Sequence, residues 1–330
     1  MPGLGVGLDG QIGIAQEGAG AFGTFVPPTR FIQFIGGETL KAARTNFVSE
    51  SIGGLIARTS SVRSYQSGAA GDIPLEVMTK GMGLWLKQLM GYGVSAQVGV
   101  TPEYTQTFHP DLVSGGNGLS ASLQVGRPTT DGVVRAFSYA GAKVVSFEFT
   151  ANLDEALKLT TTWDAVSEDT SKTLGVATLA TGAQPFIFID AALTIDGTAQ
   201  CVKGLSIKGD RALDTDRRCL GPVQTKKEQL ANGKFAITGQ LDMEFDSMTQ
   251  YNKFMAGTPA NLVANFSFGQ IPGTANPYSC VFTLPSIIYS GDTPNLADEG
   301  VLQLSLPFDA YYNGTLPALE IVIHTDDTAL

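Results

Sequence analysis

The residues that could carry out chemistry in this chain are few, and their spacing fits none of the common sites. Gly5, Gly7 and Gly10 form a literal G-x-G-x-x-G, but the sequence predicts neither the strand before it nor the helix after it that a dinucleotide site requires. The two histidines, His109 and His324, have no second ligand at a metal-binding spacing, and no Cys-x-x-Cys is present. We therefore expect no cofactor, no metal and no enzymatic activity.

The three cysteines and the two tryptophans have simpler interpretations. Cys201, Cys219 and Cys280 are few and odd in number, which is typical of reduced packing residues in a protein assembled inside a cell. Spacing alone leaves a Cys–His nucleophile pair open, but the strand and turn context of the cysteines favours packing. Trp85 lies on a helical stripe and Trp163 follows a strand, so we expect both in the core rather than on a sugar-binding platform.

The charge of the chain argues against tight binding of nucleic acid. The net charge is −10 and only 16% of the residues are charged, against about 25% in typical soluble domains. DNA binding requires a basic surface, whereas no Lys or Arg follows Lys253; acidity that merely aids solubility is the simpler explanation. The basic run with Arg217, Lys226 and Lys227 lies among acidic residues, which favours a solvated or subunit-facing hairpin over a phosphate site. No apolar run of about 18 residues occurs, so no membrane span is predicted.

Two similar strand–helix stretches, 71–91 and 239–257, organise the sequence. Each begins with alternating apolar and polar residues, which indicates a strand, and continues with apolar residues at helical spacing. The alternating apolar positions are Ile73, Leu75 and Val77, and Leu241, Met243 and Phe245; the helical ones are Met82, Trp85, Leu86 and Leu89, and Met248, Tyr251, Phe254 and Met255. Gly91 and Gly257 are predicted to end the helices, and Asp246 or Ser247 to cap the start of the second.

The offset between the two stretches is nearly constant. Met243 lies 168 positions after Leu75, and Lys208 lies 167 positions after Lys41. Further predicted strands follow each stretch, so we expect two copies of one β-rich unit with a single helix each; chance likeness of two hairpin–helix segments is the alternative. The expected organisation is an N-terminal arm at 1–30, a first unit at 31–171, a linker at 172–185 and a second unit at 186–330.

The segment from Gly7 to Phe31 is rich in Gly and Ala and has neither the basic start nor the apolar stretch of a secretory signal. Glycine weakens a strand and has no side chain to pack, so a buried strand is not predicted here. The segment is instead predicted to be an extended arm that becomes ordered on a neighbouring molecule. Removal of residues 1–20 is then expected to leave a folded chain that polymerises poorly.

Several motifs together point to one protein family. The arm carries an E…GT…P pattern at Glu17, Gly23-Thr24 and the prolines that follow. Further motifs are FIGGETLK, GDIPLEVMTKGMGLWLKQLMG, KVVSFEFTANLDEALKLTTTWDA, FIFIDAALTIDG, EFDSMTQYNKFMAG and VLQLSLPFDAYYNG. Over nearly its whole length the chain resembles the tail tube proteins of long-tailed, siphovirus-type bacteriophages. The resemblance implies a mainly β fold of two similar β-sandwich units, each flanked by one helix, whose inner sheets form a ring-shaped barrel around a lumen.

The resemblance also implies a function: a structural virion protein, the major tail tube subunit, which stacks as rings into a conduit for phage DNA. Two units per chain predict a homotrimer with pseudo-sixfold symmetry, and one unit per chain predicts a homohexamer. Other tail proteins are expected partners, no membrane is involved, and assembly is expected in the cytoplasm of the host bacterium. The alternatives are a tail terminator, a baseplate hub or an injection-system tube protein, and, in another class, a carbohydrate-binding or hydrolytic tail protein.

The same resemblance indicates where the contacts between subunits and the lumen lie. Hairpins near 57–71 and 220–234 are expected to join subunits or rings, together with the arm. The candidate contact residues are Glu17, Phe22, Phe25, Arg58, Arg63, Arg217, Lys226 and Lys227. DNA is expected to pass without specific binding, because an acidic wall repels phosphate. The candidate lumen residues are Glu148, Asp154, Asp242, Glu244 and Asp309.

Overall fold

The alternation of apolar with polar residues and the abundance of Gly, Thr and Ser produce a chain built mostly of antiparallel strands. The computed structural model describes residues 5–52, 61–110, 118–220, 226–291, 293 and 300–330. The strands of the first half are β1 (Gln11–Gln16), β2 (Arg30–Ile32), β3 (Lys41–Val48), β4 (Val62–Glu76), β5 (Gly91–Gln97), β6 (Tyr104–Pro110), β7 (Ala121–Pro128), β8 (Val134–Asn152), β9 (Lys158–Ala165) and β10 (Ser167–Asp169).

The second half continues in the same way. Its strands are β11 (Ala191–Ile195), β12 (Thr198–Gln200), β13 (Val202–Asp210), β14 (Leu213–Asp214), β15 (Leu230–Ala231), β16 (Ala236–Glu244), β17 (Ala260–Phe268), β18 (Tyr278–Tyr289), β19 (Gln303–Ala310) and β20 (Glu320–Thr325). The α-helices of the described residues are α1 (Gly83–Met90) and α2 (Thr249–Ala256). The predicted mainly β class, with a helix after the alternating strand in each half, is confirmed.

Strand pairing follows one order in the first half and a comparable order in the second. In the first half the hydrogen-bonded neighbours run β1–β7–β8–β9–β4–β3, with β2 added at β1 and β10 at β8. In the second half they run β11–β17–β18–β19–β16–β13, with β12 added at β11 and β20 at β18. The two sets are joined where β13 pairs with β8, and the hairpin β5–β6 of the first half is added where β6 pairs with β20. The described strands, apart from the pair β14–β15, thus form one connected sheet, and within one chain they form no closed barrel.

The core lies under the predicted apolar positions. Ile73 and Leu75 on β4 and Leu241 on β16 are fully buried, and the stripe on α1 is buried along its whole length. The ring of Trp85 on α1 meets that of Trp163 on β9 edge-to-face, with 5.5 Å between their centroids. Both tryptophans are therefore core residues, as predicted. Because edge-to-face aromatic pairs add to the gain from burial, this contact fixes α1 on the sheet.

The helix ends agree with the sequence at one terminus only. Gly91 and Gly257 follow α1 and α2 in the left-handed conformation, with φ of 87° and 61°, as predicted for glycines that end helices. The predicted cap at Asp246 or Ser247 is wrong. Met248 occupies the N-cap position without a side-chain hydrogen bond, and the Ser247 hydroxyl accepts only a long bond of 3.4 Å from the Thr249 amide. The helix begins two residues later than a cap at Asp246 requires.

The expected absence of a buried strand near the N-terminus is wrong. Residues 11–16 form β1, which lies between β2 and β7, and Ile12 and Ile14 on it are fully buried. Gly13 is required by packing: a Cβ there would lie 2.6 Å from Cβ of Pro28 and 2.7 Å from the ring of Phe31. The glycine therefore marks a close approach of two segments within a strand, and the segment is part of the protomer core.

Candidate functional site

Six strands from both halves form a continuous sheet with one apolar and one polar face. The order is β4–β9–β8–β13–β16–β19, and every pair is antiparallel. Registered pairs can be followed across it, so that residues of one row share a face. One apolar row consists of Leu75, Leu159, Phe149, Ile207, Gly239 and Phe308, and the neighbouring polar row of Pro74, Thr160, Glu148, Lys208, Thr238 and Asp309. We call the second surface the polar sheet face.

Four of the five predicted lumen residues lie on this polar sheet face. Glu148 is on β8, Asp242 and Glu244 are on β16, and Asp309 is on β19. The alternation of strand side chains brings them together, although they are spread over 162 positions of sequence. Asp154 lies apart, exposed in the turn after β8, where its φ is 61°.

The polar sheet face has an excess of acidic over basic side chains. Its lysines are engaged: Nζ of Lys208 lies 3.1 Å from Glu148, and Nζ of Lys203 lies 2.8 Å from Glu244. Further carboxylates on the face have no ion pair among the described residues; these are Asp72, Glu76, Asp210, Asp242 and Asp309. Since exposed ion pairs are weak and screened by salt, the face presents a net negative surface to anything that lies against it.

The comparison with protein families decides what this face belongs to. The family model described as phage tail tube protein matches residues 7–310. The chain belongs to the phage tail tube protein family. The match covers nearly the whole chain, including the six strands of the polar sheet face, and the family is one of structural tail proteins. A comparison with curated proteins gives no match.

Three further observations on the described residues concern metal binding, membrane spanning and nucleophilic chemistry. They contain no group of three or more His, Cys, Asp or Glu side chains placed to hold a metal ion. Neither α1 nor α2 has the length and apolar character that a bilayer span requires. The thiol of Cys280 is buried, and burial raises its pKa, which makes it a packing residue rather than a nucleophile.

The predicted contact residues of the N-terminal segment make contacts inside their own chain. Glu17 is only 3% exposed and accepts three hydrogen bonds, from the amide of Gly23 at 2.9 Å, the hydroxyl of Ser122 at 3.0 Å and the amide of Gly141 at 2.7 Å. The ring of Phe22 lies against Gly141, and Phe25 is half-buried. Glu17 thus binds the segment that follows β1 to β7 at Ser122 and to β8 at Gly141.

The basic hairpin residues separate into buried and exposed members. Lys226 is 8% exposed and its Nζ lies 2.6 Å from Asp164, so this side chain is buried within its own chain, and the contact of the hairpin with a neighbouring subunit stays a prediction. Arg217 donates to the carbonyl of Glu228 at 2.5 Å, whereas Lys227 is exposed. Arg63 is exposed on β4 opposite Phe47 of β3, and Arg58 lies outside the described residues.

Sequence reasoning missed Arg211, which the structure places in a buried contact between the two halves. Its guanidinium is 2% exposed and donates to the carbonyls of Gln88 and Leu89 at the end of α1. A signal for it was present: the offset of 167 that relates Lys41 to Lys208 also relates Arg44 to Arg211. Because arginines are rarely buried without a carboxylate partner, the residue type does not predict the burial of Arg211. The repeated spacing K-x-x-R is the signal in the sequence that points to it.

Proposed function

We propose that this chain is the major tail tube subunit of a long-tailed phage and that it stacks as rings into the conduit for DNA. Family membership supports a structural tail tube protein. The polar sheet face supports the more specific role as the wall of a DNA conduit. That face is continuous across both halves, acidic and backed by the core, which suits the wall of a channel for a polyanion. The mature protein is then located in the virion after assembly in the host cytoplasm.

We further propose that the chain contains two related units, at 31–171 and 186–330, joined by a linker at 172–185. The supporting observation is the matching order of pairing, β1–β7–β8–β9–β4–β3 against β11–β17–β18–β19–β16–β13. Since β1 holds the place of β11, we assign it to the first unit, although it lies in the segment 1–30. Two units per chain favour a ring of three chains with pseudo-sixfold symmetry over a ring of six.

The open edge of β3 supports joining of the units between chains. Among the described strands, β3 pairs only with β4, and its residues are mostly exposed. The strand in the corresponding place, β13, has β16 on one side and β8 on the other. An unpaired edge is a template for another strand, and a head-to-tail contact that closes by rotation gives a ring.

Imaging of the purified chain tests the proposed function. We expect electron micrographs of concentrated protein to show tubes, and the mass of a single ring to equal three chains. Rings of six chains would contradict the proposal that each chain supplies two units of a pseudo-sixfold ring. Closed single rings would favour a terminator, and a persistent monomer under all assembly conditions would contradict the tube role altogether.

Charge reversal tests the proposed lumen. Asp242 and Asp309 are suitable because their loss breaks no ion pair of the described residues. We expect Asp242→Lys with Asp309→Lys to leave tubes intact and to slow DNA ejection, because double-stranded DNA carries one negative charge per about 1.7 Å of axis. The slowing is expected to weaken at high salt. The control is Asp131→Lys in the β7–β8 turn, an exposed carboxylate whose reversal also breaks its pair with Arg135, and slowing by that single reversal equal to the slowing by either single lumen reversal would contradict a lumen on the polar sheet face.

A further inference from the structure

The end of α1 is held by a side chain from the other half of the molecule. Arg211, which directly follows β13, donates through Nη2 to the carbonyl of Gln88 at 3.2 Å and to that of Leu89. Its guanidinium also lies over the ring of Phe235, 5.0 Å from the centroid. These carbonyls belong to the last turn of α1, where backbone acceptors lack partners within the helix. Arg211 therefore caps the C-terminus of α1 from outside the helix.

The chemistry of this cap is charge on a helix end. No carboxylate of the described residues pairs with Arg211, and burial lowers the pKa of its guanidinium to about 10, so the side chain stays charged at neutral pH. A cation at the negative end of a helix dipole is favourable, more so where water is excluded. The contact thus joins the two halves through charge-assisted hydrogen bonds from one guanidinium to two neighbouring backbone carbonyls.

Arg44 is the counterpart of Arg211 by sequence spacing, although Arg44 lies within β3 and Arg211 follows the end of β13. Lys41 pairs with Ala70 of β4, and Lys208 pairs with Thr238 of β16. Thr238 lies 168 positions after Ala70 in the sequence. In both halves the arginine stands three residues after this lysine. Arg44 is exposed, and the described residues offer its guanidinium no hydrogen bond or ion pair.

The helix α2, which corresponds to α1, is less buried by the rest of the chain than α1 is. Lys87 and Lys253 each precede by four residues the left-handed glycine that ends the helix. The four stripe residues on α1 are buried, whereas on α2 Met248 is 51% and Met255 65% exposed and Tyr251 and Phe254 are half-buried. Part of the cover on α1 comes from the second half, including Arg211 and the C-terminal Leu330, which lies against Gly83. The surface at the end of α2 is where the equivalent cover is missing.

We propose that Arg44 of one copy caps the C-terminus of α2 in a second copy, donating to the carbonyls of Phe254 and Met255. These two residues correspond to Gln88 and Leu89 at the end of α1. The contact made once inside each chain is then repeated between chains, with the first half of one copy covering α2 of the next. The inference rests on the proposed function, since it names the side chain and the acceptor through which neighbouring copies join.

Substitution of Arg44 tests the contact. Because Arg44 is exposed in the single chain, we expect Arg44→Ala to leave its melting temperature unchanged. We expect the concentration needed for assembly to rise about 10- to 100-fold, the loss that removal of a charge-assisted hydrogen bond predicts. Arg44→Lys keeps the charge but not the forked donors of the guanidinium. Its assembly concentration is expected to lie between those of the unmodified chain and Arg44→Ala. Arg135→Ala, at an exposed arginine on β8, is the matched control and is expected to assemble as the unmodified chain does.

Cross-linking identifies the partner directly. In a background of Cys201→Ser and Cys219→Ser, we expect Arg44→Cys with Met255→Cys to be joined between chains by a short bismaleimide, in tubes assembled above the higher concentration that loss of Arg44 requires. Arg135→Cys with Met255→Cys is expected to give no such product. If the unmodified chain forms tubes while Arg44→Ala assembles normally and the 44–255 product is absent, this contact is wrong and the tube role stands. If the unmodified chain forms no tubes, the proposed function fails and the contact fails with it.

Discussion

Deletion of residues 1–20 is expected to prevent the chain from folding, rather than only to stop its assembly. The deletion removes β1 from its position between β2 and β7. It also removes Glu17, which leaves the amides of Gly23 and Gly141 and the hydroxyl of Ser122 without their acceptor. Buried groups that lose a hydrogen-bond partner each destabilise the fold.

The size of the effect follows from the burial of two side chains. Ile12 and Ile14 are fully buried, and full burial of such a side chain contributes about 1.5–3 kcal/mol. Together with six registered pairs between β1 and β7, the loss is comparable to the total stability of about 5–15 kcal/mol that is typical of domains. Ile14→Ala alone is expected to cost about 2–5 kcal/mol, since it leaves a cavity under the sheet.

Circular dichroism and thermal melting of the purified variants measure this outcome. We expect the 1–20 deletion to accumulate as insoluble or unfolded chain and Ile14→Ala to melt at a lower temperature than the unmodified protein. The control is a deletion of residues 1–4, which retains β1 and Glu17 and is expected to melt normally. A soluble, cooperatively melting 1–20 deletion that merely fails to polymerise would show that β1 is dispensable.

The parts of the fold that depend on local pattern could be predicted from the sequence. Alternation of Ile73 and Leu75 with polar residues was sufficient to place β4 and its buried face, and the glycines after α1 and α2 to place both helix ends. The sequence does not predict β1, because glycine within a strand is generally destabilising. The reason for Gly13 is the ring of Phe31, which is 18 positions away and approaches it only once the sheet has formed.

The candidate site shows the same limit. The period of two is enough to place Asp242 and Glu244 on one face of a strand, but not to predict that β8 of one half pairs with β13 of the other. It is that pairing which adds Glu148 to the same surface. A run of lysines and arginines reads as exposed because charged residues are rarely buried, and Lys226 departs from this only through a partner 62 positions away.

Loss of Lys226 is expected to destabilise the fold strongly because it leaves a buried carboxylate uncompensated. Its Nζ lies 2.6 Å from Oδ1 of Asp164, and the side chains are 7% and 8% exposed. The other oxygen, Oδ2, accepts from Nε2 of Gln229 at 2.7 Å. Gly68 permits the contact, since a Cβ there would lie 2.8 Å from Nζ of Lys226. Removal of one partner from a buried pair costs about 3–5 kcal/mol. Lys226→Met is therefore expected to lower the free energy of unfolding, measured by urea denaturation, by that amount.

The pair itself is expected to contribute far less than the loss of one partner suggests. Taking both charges out of water is costly, and an apolar replacement of both is often close to neutral. Lys226→Met with Asp164→Leu is therefore expected to be more stable than Lys226→Met alone, and a double-mutant cycle gives the coupling between the two positions.

An exposed ion pair of similar length provides the matched control. Arg135 and Asp131 lie 2.8 Å apart with side chains 56% and 52% exposed, and such pairs contribute about 0–1 kcal/mol. We expect Arg135→Ala to change stability within that range and the change to vanish at high salt, whereas the cost of Lys226→Met persists because a buried charge is poorly screened. Equal, salt-sensitive effects of the two substitutions would mean that Lys226 is in contact with water. The strand β9 and the hairpin that carries Lys226 would then be held together by packing instead of by this charge.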